Sequence, residues 1–289
     1  MSALIFGLFG LIIGSFLNVV VLRHGAKSLG GRSACMSCGK PIAWYDNIPV
    51  VSWLYLRGRC RMCGSAISVQ YPLVEISTAL LFAFLAAGEL SHVPLAFDLP
   101  GLVHLYATLA LYCFVGALLI SISVYDIRHT IIPDRWVYLF ALFALASSFF
   151  GISPGYNSVL LLLAAGPIGA LPLFALWAVS GGRWMGFGDV KLALGIGWLL
   201  GPVSGLFAVF FAFILGACVS VPLLGLSSPY LHALVRRFTP TLASSKGLLG
   251  FTMGSEIPFG PFLVCSCIIV WLFLINGIEL WRIFVPLPL

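Results

Sequence analysis

VHLYATLALYCFVGALLISISV, Val103–Val124, runs for 22 residues without an Asp, Glu, Lys or Arg and is followed at once by Tyr125-Asp126-Ile127-Arg128. A run of that length is what an α-helix needs to cross a hydrocarbon core of about 30 Å. In lipid the backbone must satisfy its own hydrogen bonds, so the segment must be helical. The rest of the chain agrees with this reading. Apolar residues make up 61% of the 289 positions, charged residues only 8%, and mean hydropathy is +1.10. A soluble chain carries roughly a quarter charged residues, so this surface faces lipid. Working outward, further apolar stretches lie at about 3–22, 72–88, 136–151, 158–180, 190–201, 204–225 and 258–279. The expected fold is an all-α polytopic membrane protein of about eight transmembrane helices.

Charge sets the topology. The net charge is +6, and the basic residues lie mostly between apolar spans, which is the positive-inside pattern rather than a nucleic-acid surface. The loop Arg23–Gln70 holds seven Lys/Arg and the single acid Asp46, whereas Glu89–Asp98 and Gly151–Asn157 hold no Lys or Arg. Further basic positions are Arg128 and Arg135, Arg183 and Lys191, then Arg236, Arg237 and Lys246. These fall on one side only if Gly201-Pro202 separates two helices; a single proline-kinked helix is the competing reading. Two helices there put both termini outside and all basic loops in the cytoplasm. Arg23, Lys27 and Arg32 follow the first span rather than precede it, which fits an uncleaved anchor rather than a signal peptide.

Within the first loop stand Cys35-Met36-Ser37-Cys38-Gly39 and Cys60-Arg61-Met62-Cys63-Gly64. Two CxxCG turns about twenty residues apart have the spacing of a tetrahedral four-thiolate zinc site. Four thiolates leave no open position, so such a zinc is structural. A loop with few apolar residues would draw much of its folding free energy from the metal. The alternative, a pair of disulfides, conflicts with the reducing compartment that the charge topology assigns. Cys113, Cys218, Cys265 and Cys267 lie in apolar spans, where buried packing is the expected role.

The chain has nine acids, so their positions carry information. Asp126 ends one span and Asp189 opens another in Gly186-Phe187-Gly188-Asp189-Val190-Lys191. An acid at that depth is costly without a partner or a task. Two carboxylates in a partly dry site share a proton, so one acts as base toward water while the other polarises a carbonyl. That is the chemistry of aspartic peptide hydrolysis, and Lys191 stands close enough in sequence to tune it. Each acid also has a plain explanation. Asp134 and Asp189 are candidate helix caps, and Asp126 has Arg128 as a candidate ion-pair partner. Spacing alone does not bring Asp126 and Asp189 together, because two helices separate them in the chain.

The residues resemble the bifunctional prepilin leader peptidases and N-methyltransferases of type IV pilus and type II secretion systems. The resemblance runs through Gly14-Ser15-Phe16-Leu17-Asn18-Val19-Val20, both cysteine pairs, Asp46-Asn47-Ile48-Pro49-Val50-Val51-Ser52-Trp53 and Tyr71-Pro72-Leu73-Val74-Glu75. It continues through Asp126 to Pro133-Asp134, the Gly186–Lys191 segment and Pro258-Phe259-Gly260-Pro261. A GxGD string alone is weak, but the ordered set is specific. The resemblance implies that Asp126 and Asp189 are the catalytic pair, that Asp134 supports them, and that Cys35, Cys38, Cys60 and Cys63 bind zinc. It implies cleavage of a short basic leader after glycine, then N-methylation of the new terminus, usually phenylalanine, from S-adenosylmethionine. The implied setting is the bacterial inner membrane, with prepilins or pseudopilins as substrates and the active site at the cytoplasmic face.

On this reading residues 1–22 form the first transmembrane helix, 23–71 a cytoplasmic zinc-binding loop domain tied to methylation, and 72–289 the transmembrane peptidase domain. No glycine-rich loop of the dinucleotide type marks a methyl-donor site. Three alternatives make different predictions. A peptidase whose zinc loop is purely structural would not methylate. A non-catalytic scaffold would tolerate loss of either aspartate. A proton-coupled transporter would place acids near mid-bilayer, within broken helices in paired halves.

Overall fold

The computed structural model describes residues 2–25, 30–91, 99–149, 159–226 and 257–284. Its elements are helices: α1 Ser2–Arg23, α2 Val51–Tyr55, α3 Gln70–Ser91, α4 Leu99–His129, α5 Asp134–Phe149, α6 Val159–Ser180, α7 Phe187–Leu200, α8 Pro202–Leu226, α9 Gly260–Ile275 and α10 Trp281–Phe284. A 3₁₀ turn, Trp44–Asn47, precedes α2, and the described residues form no strand beyond two isolated bridges in the cysteine loop. Lys27, Arg236, Arg237, Lys246 and the loops 92–98 and 150–158 lie outside the described residues.

Eight of these helices follow the expected spans in order. Five are long and apolar enough to cross a membrane: α1, α3, α4, α6 and most of α8. The other three, α5, α7 and α9, have 16, 14 and 16 residues, or about 21–24 Å at 1.5 Å per residue. Helix ends depart from expectation in a consistent direction. α4 continues to His129, beyond Val124, because a helix does not stop where its apolar run stops. Asp126 and Arg128 are carried on its last turn and a half.

Small residues and polar threads hold the helices together, since lipid gives no hydrophobic drive for helix association. A Cβ on Gly10 would come within 2.7 Å of Ala79 Cα, and one on Gly14 within 2.7 Å of Glu75 Cα. Glycine therefore sets the close approach of α1 to α3. In α6, Pro167 removes the amide that would bond the Leu163 carbonyl. Trp198 Nε1 from α7 donates to that carbonyl instead, at 3.0 Å. Ser148 ties α5 to the Trp198 carbonyl, and Ser266 ties α9 to the Ala208 carbonyl of α8.

The chain reverses at Gly201, where φ is +87°. A Cβ on Gly205 would lie 2.9 Å from Gly197 Cα, whereas eight residues of straight helix span about 12 Å. α7 and α8 are thus two antiparallel helices and not one kinked rod. One end of the bundle gathers the C-termini of α1, α4 and α6 with the N-termini of α3, α5, α7 and α9. Arg23, Arg128, Arg135, Arg183 and Lys191 all belong to that end.

Candidate active site

Asp126 sits one turn before the end of α4 and is 4% exposed; Asp189 is the third residue of α7 and is 8% exposed. The chain leaves α4 through Thr130, whose amide bonds the Asp126 carbonyl at 2.7 Å, and enters α5 at Asp134. Gly186 opens α7 in an extended conformation, and the Asp189 amide bonds its carbonyl at 3.3 Å. The structure brings the two helix ends together, which spacing left open: Gly260, bonded to Asp126, and Gly188, next to Asp189, both pack on Ile132.

A third segment completes the site. The amide of Gly260, first residue of α9, donates to Asp126 Oδ2 at 3.1 Å. A Cβ at Gly260 would fall 2.5 Å from that oxygen, so the approach requires glycine. Ile132, from the α4–α5 turn, packs on both glycine turns. Cβ atoms on Gly188 and Gly260 would lie 3.0 Å from Ile132 Cβ and 3.4 Å from its Cδ1. Both carboxylates therefore lie at helix N-termini, of α7 and α9, whose unpaired amides and dipoles favour negative charge. Two acids and a backbone donor are parts that can activate water against a carbonyl.

Other expectations about this region need correction. Lys191 does not reach the aspartate pair. Its Nζ pairs with Asp134 Oδ1 at 2.7 Å and lies over the rings of Tyr138 and Phe187. Arg128 does not pair with Asp126 either. Its Nη1 donates to Gln70 Oε1 at 2.9 Å, and Gln70 reaches Asn18 Oδ1 at 3.4 Å. Asn18 in turn donates to the carbonyl of Tyr71 at 3.3 Å. This thread ties α4, just beyond Asp126, to α1 and to the first residues after the cysteine loop. Asp134 is the first residue of α5, with its side chain turned to Lys191.

The cysteine loop consists of two near-identical turns. Cys35 N bonds Lys40 O and Gly39 N bonds Cys35 O; Cys60 N bonds Ser65 O and Gly64 N bonds Cys60 O. Gly39 and Gly64 hold φ of +69° and +70°, the left-handed curl that closes each turn. The turns face each other, and all four sulfurs lie within 4.8 Å of one another. Cys35 Sγ and Cys63 Sγ are 3.8 Å apart, too far for a disulfide. A tetrahedron with metal–sulfur bonds of about 2.3 Å has edges of about 3.8 Å, so this donor set fits a metal ion.

The thiol electrostatics agree with that fit. The amides of Cys38 and Ser37, with the Ser65 hydroxyl, pull the Cys35 thiol down to about 6. The Lys40 amide favours the Cys38 thiolate, but desolvation and the Cys35 and Cys63 sulfurs push that thiol up to about 11. Sulfurs that resist ionising together are the sulfurs a cation would discharge. Outside the loop, Cys113 and Cys267 are buried as expected. Cys218 and Cys265 instead are exposed on apolar helices.

Sequence reasoning met Gly260 and Ile132 only inside motif stretches and gave neither a role, since Gly260 carries no side chain to draw notice and Ile132 reads as ordinary apolar loop. It likewise gave no role to Glu75, a buried carboxylate in α3 that accepts the Val50 amide at 2.7 Å. An acid inside an apolar run was the available signal.

Residues 8–88 match the Bacterial Peptidase A24 N-terminal domain, and residues 113–221 match the Type IV leader peptidase family. The chain is 31% identical to a "Prepilin leader peptidase/N-methyltransferase" of Dichelobacter nodosus, over 98% of this chain and 94% of that protein. It is 36% identical to one of Pectobacterium carotovorum, over 68% of this chain and 74% of the relative. For one of Pseudomonas aeruginosa the figures are 29%, 95% and 90%. No solved structure matches significantly. The two matched regions contain the cysteine cluster and both aspartates respectively.

Proposed function

The chain belongs to the type IV leader peptidase family, and from that premise we propose that Asp126 and Asp189 cleave the basic leader of prepilin-like proteins. Cleavage follows glycine, and the new N-terminus, usually phenylalanine, is then methylated. The observation that carries the proposal is the convergence of two buried carboxylates and the Gly260 amide at one rim of the bundle.

The pair carries one proton. The Asp126 oxygen that Gly260 does not hold takes a proton from water, and the water oxygen attacks the scissile carbonyl carbon. The protonated Asp189 donates to the carbonyl oxygen, stabilising the charge that develops there. Collapse of the tetrahedral intermediate breaks the C–N bond, and a proton from the carboxyl pair passes to the leaving nitrogen. Gly186 and Gly188 let an extended substrate backbone run close to Asp189.

Cys35, Cys38, Cys60 and Cys63 would hold zinc, whose chemistry there is to fix the loop's fold. S-adenosylmethionine would supply the methyl group, and no residue is assigned to its binding. Residues 1–22, 23–71 and 72–289 serve as first helix, zinc loop domain and peptidase domain. Eight crossings place both termini outside and the basic end of the bundle in the cytoplasm. The cationic leader then stays in the cytoplasm while the substrate's apolar helix remains in the bilayer. The clients are prepilins, pseudopilins or both. The direct test is processing of a co-expressed prepilin, read as a gel shift, with Asp126 or Asp189 replaced by Asn.

A further inference from the structure

The cysteine loop has an unusual surface for a segment drawn outside the membrane. Ile48, Val51, Leu54 and Tyr55 are all exposed, Leu54 at 62%. Val51, Leu54 and Tyr55 stand three and four residues apart on α2, so they share one face. Trp44 and Tyr45, just before α2, are exposed as well. Arg57 and Arg59 follow the apolar face and are exposed on the surface.

The depth of α2 is fixed by a buried contact. Val50, the residue that caps α2, gives its amide to Glu75 Oε2. Val50 holds φ of +60°, a value a β-branched residue adopts only when its surroundings impose it. Glu75 lies five residues inside α3, a helix long and apolar enough to span the membrane. Five residues of helix are about 7.5 Å. The loop therefore doubles back along α3 toward the bilayer, and helices lying in the interface are buried by about 5–10 Å. Trp53 Nε1, bonded to the Ile67 carbonyl at 3.2 Å, fixes the other side of α2 to the segment leading into α3. Leu73, Ile76, Leu80 and Phe84 form one exposed stripe down α3.

We propose that the four-cysteine loop is an interfacial membrane element, whose Ile48–Tyr55 face sits in the headgroup layer of a bilayer containing anionic phospholipid. The apolar side chains enter the boundary between headgroups and acyl chains, and Arg57 and Arg59 meet the phosphates. The same arginines disfavour a cationic leader as the occupant of this face. The proposal rests on the membrane-spanning reading of α3 and not on the peptidase reading.

The experiment uses the full chain in nanodiscs of phosphatidylethanolamine and phosphatidylglycerol. Photoreactive benzoyl-phenylalanine replaces Leu54, or Phe84 on the α3 stripe as the reference, and adducts are read by intact mass. Phospholipid adducts at Leu54 of the same order as at Phe84 are expected. Replacing phosphatidylglycerol with phosphatidylcholine should lower the yield at Leu54 and leave Phe84 unchanged. Adducts at Phe84 with none at Leu54 overturn the proposal while the membrane reading stands. Cross-links from Leu54 to a second copy, or to an added apolar helical peptide with a basic leader, also overturn it. Absence of lipid adducts at both positions removes the spanning reading and this proposal together.

Discussion

Replacing Gly260 with alanine tests how the site is assembled without removing any titrating group. The new Cβ would stand 2.5 Å from Asp126 Oδ2, 3.2 Å from its Cγ and 3.4 Å from Ile132 Cδ1. Ordinary contact begins near 3.4 Å, so the carboxylate must retreat by about 0.9 Å or α9 must shift. Asp126 is buried and short, and has little room to swing. The retreat breaks the 3.1 Å bond from the Gly260 amide, and a hydrogen bond to a charged group is worth about 1.5–3 kcal/mol. At 1.36 kcal/mol per decade that is about 10- to 150-fold in rate. A displacement of about 1 Å at a reacting group costs a similar factor, about 10². Gly260→Ala should therefore insert and fold while cutting a prepilin about 10²-fold more slowly, in a gel-shift time course on purified proteoliposomes. The loss should appear in kcat more than in KM. Processing at the unaltered rate would refute the role given to the Gly260 amide.

Asp134 and Lys191 form a partly exposed ion pair, so Asp134→Asn should cost under about 1 kcal/mol of stability; the same gel shift should show it far less damaged than an Asp126 variant. Cys35→Ser should lower thermal stability and bound metal, read by melting in detergent and by elemental analysis, and should reduce methylation before cleavage. Normal methylation after the metal is stripped by a chelator would contradict the link between loop and methyl transfer. Metal affinity should rise with pH, since the Cys38 thiol, pushed up to about 11, must shed its proton on binding. Below about pH 6 Cys35 is protonated as well, so retention should fall more steeply, as a competing zinc dye would report.

The helices were legible because lipid admits little else: apolar runs such as Val103–Val124 and Ala3–Leu22 have one available backbone conformation. Charge alternation also resolved the Gly201-Pro202 ambiguity correctly, since α7 and α8 do turn back on each other. The cysteine turns were legible because their spacing fixes local geometry. Convergence was not. Asp126 and Asp189 are separated by α5 and α6, and no local pattern states which helix ends meet. Side-chain partners were harder still. Lys191 and Arg128 lie within two residues of the aspartates in sequence, but a helix turns neighbours at i+2 away from each other. They pair instead with Asp134 and Gln70. The backbone donor at Gly260 has no side-chain signature, and it arrives from the last long helix of the fold.

The central claim is that two distant carboxylates act as one hydrolytic unit. Its most direct test is Asp189→Asn in the full-length protein, inserted in proteoliposomes with a prepilin substrate and compared with Asp126→Asn and the double variant. The account predicts that each single change removes the mature product as completely as both together, with insertion and melting unchanged. A single variant that still releases mature pilin at the native rate would contradict it.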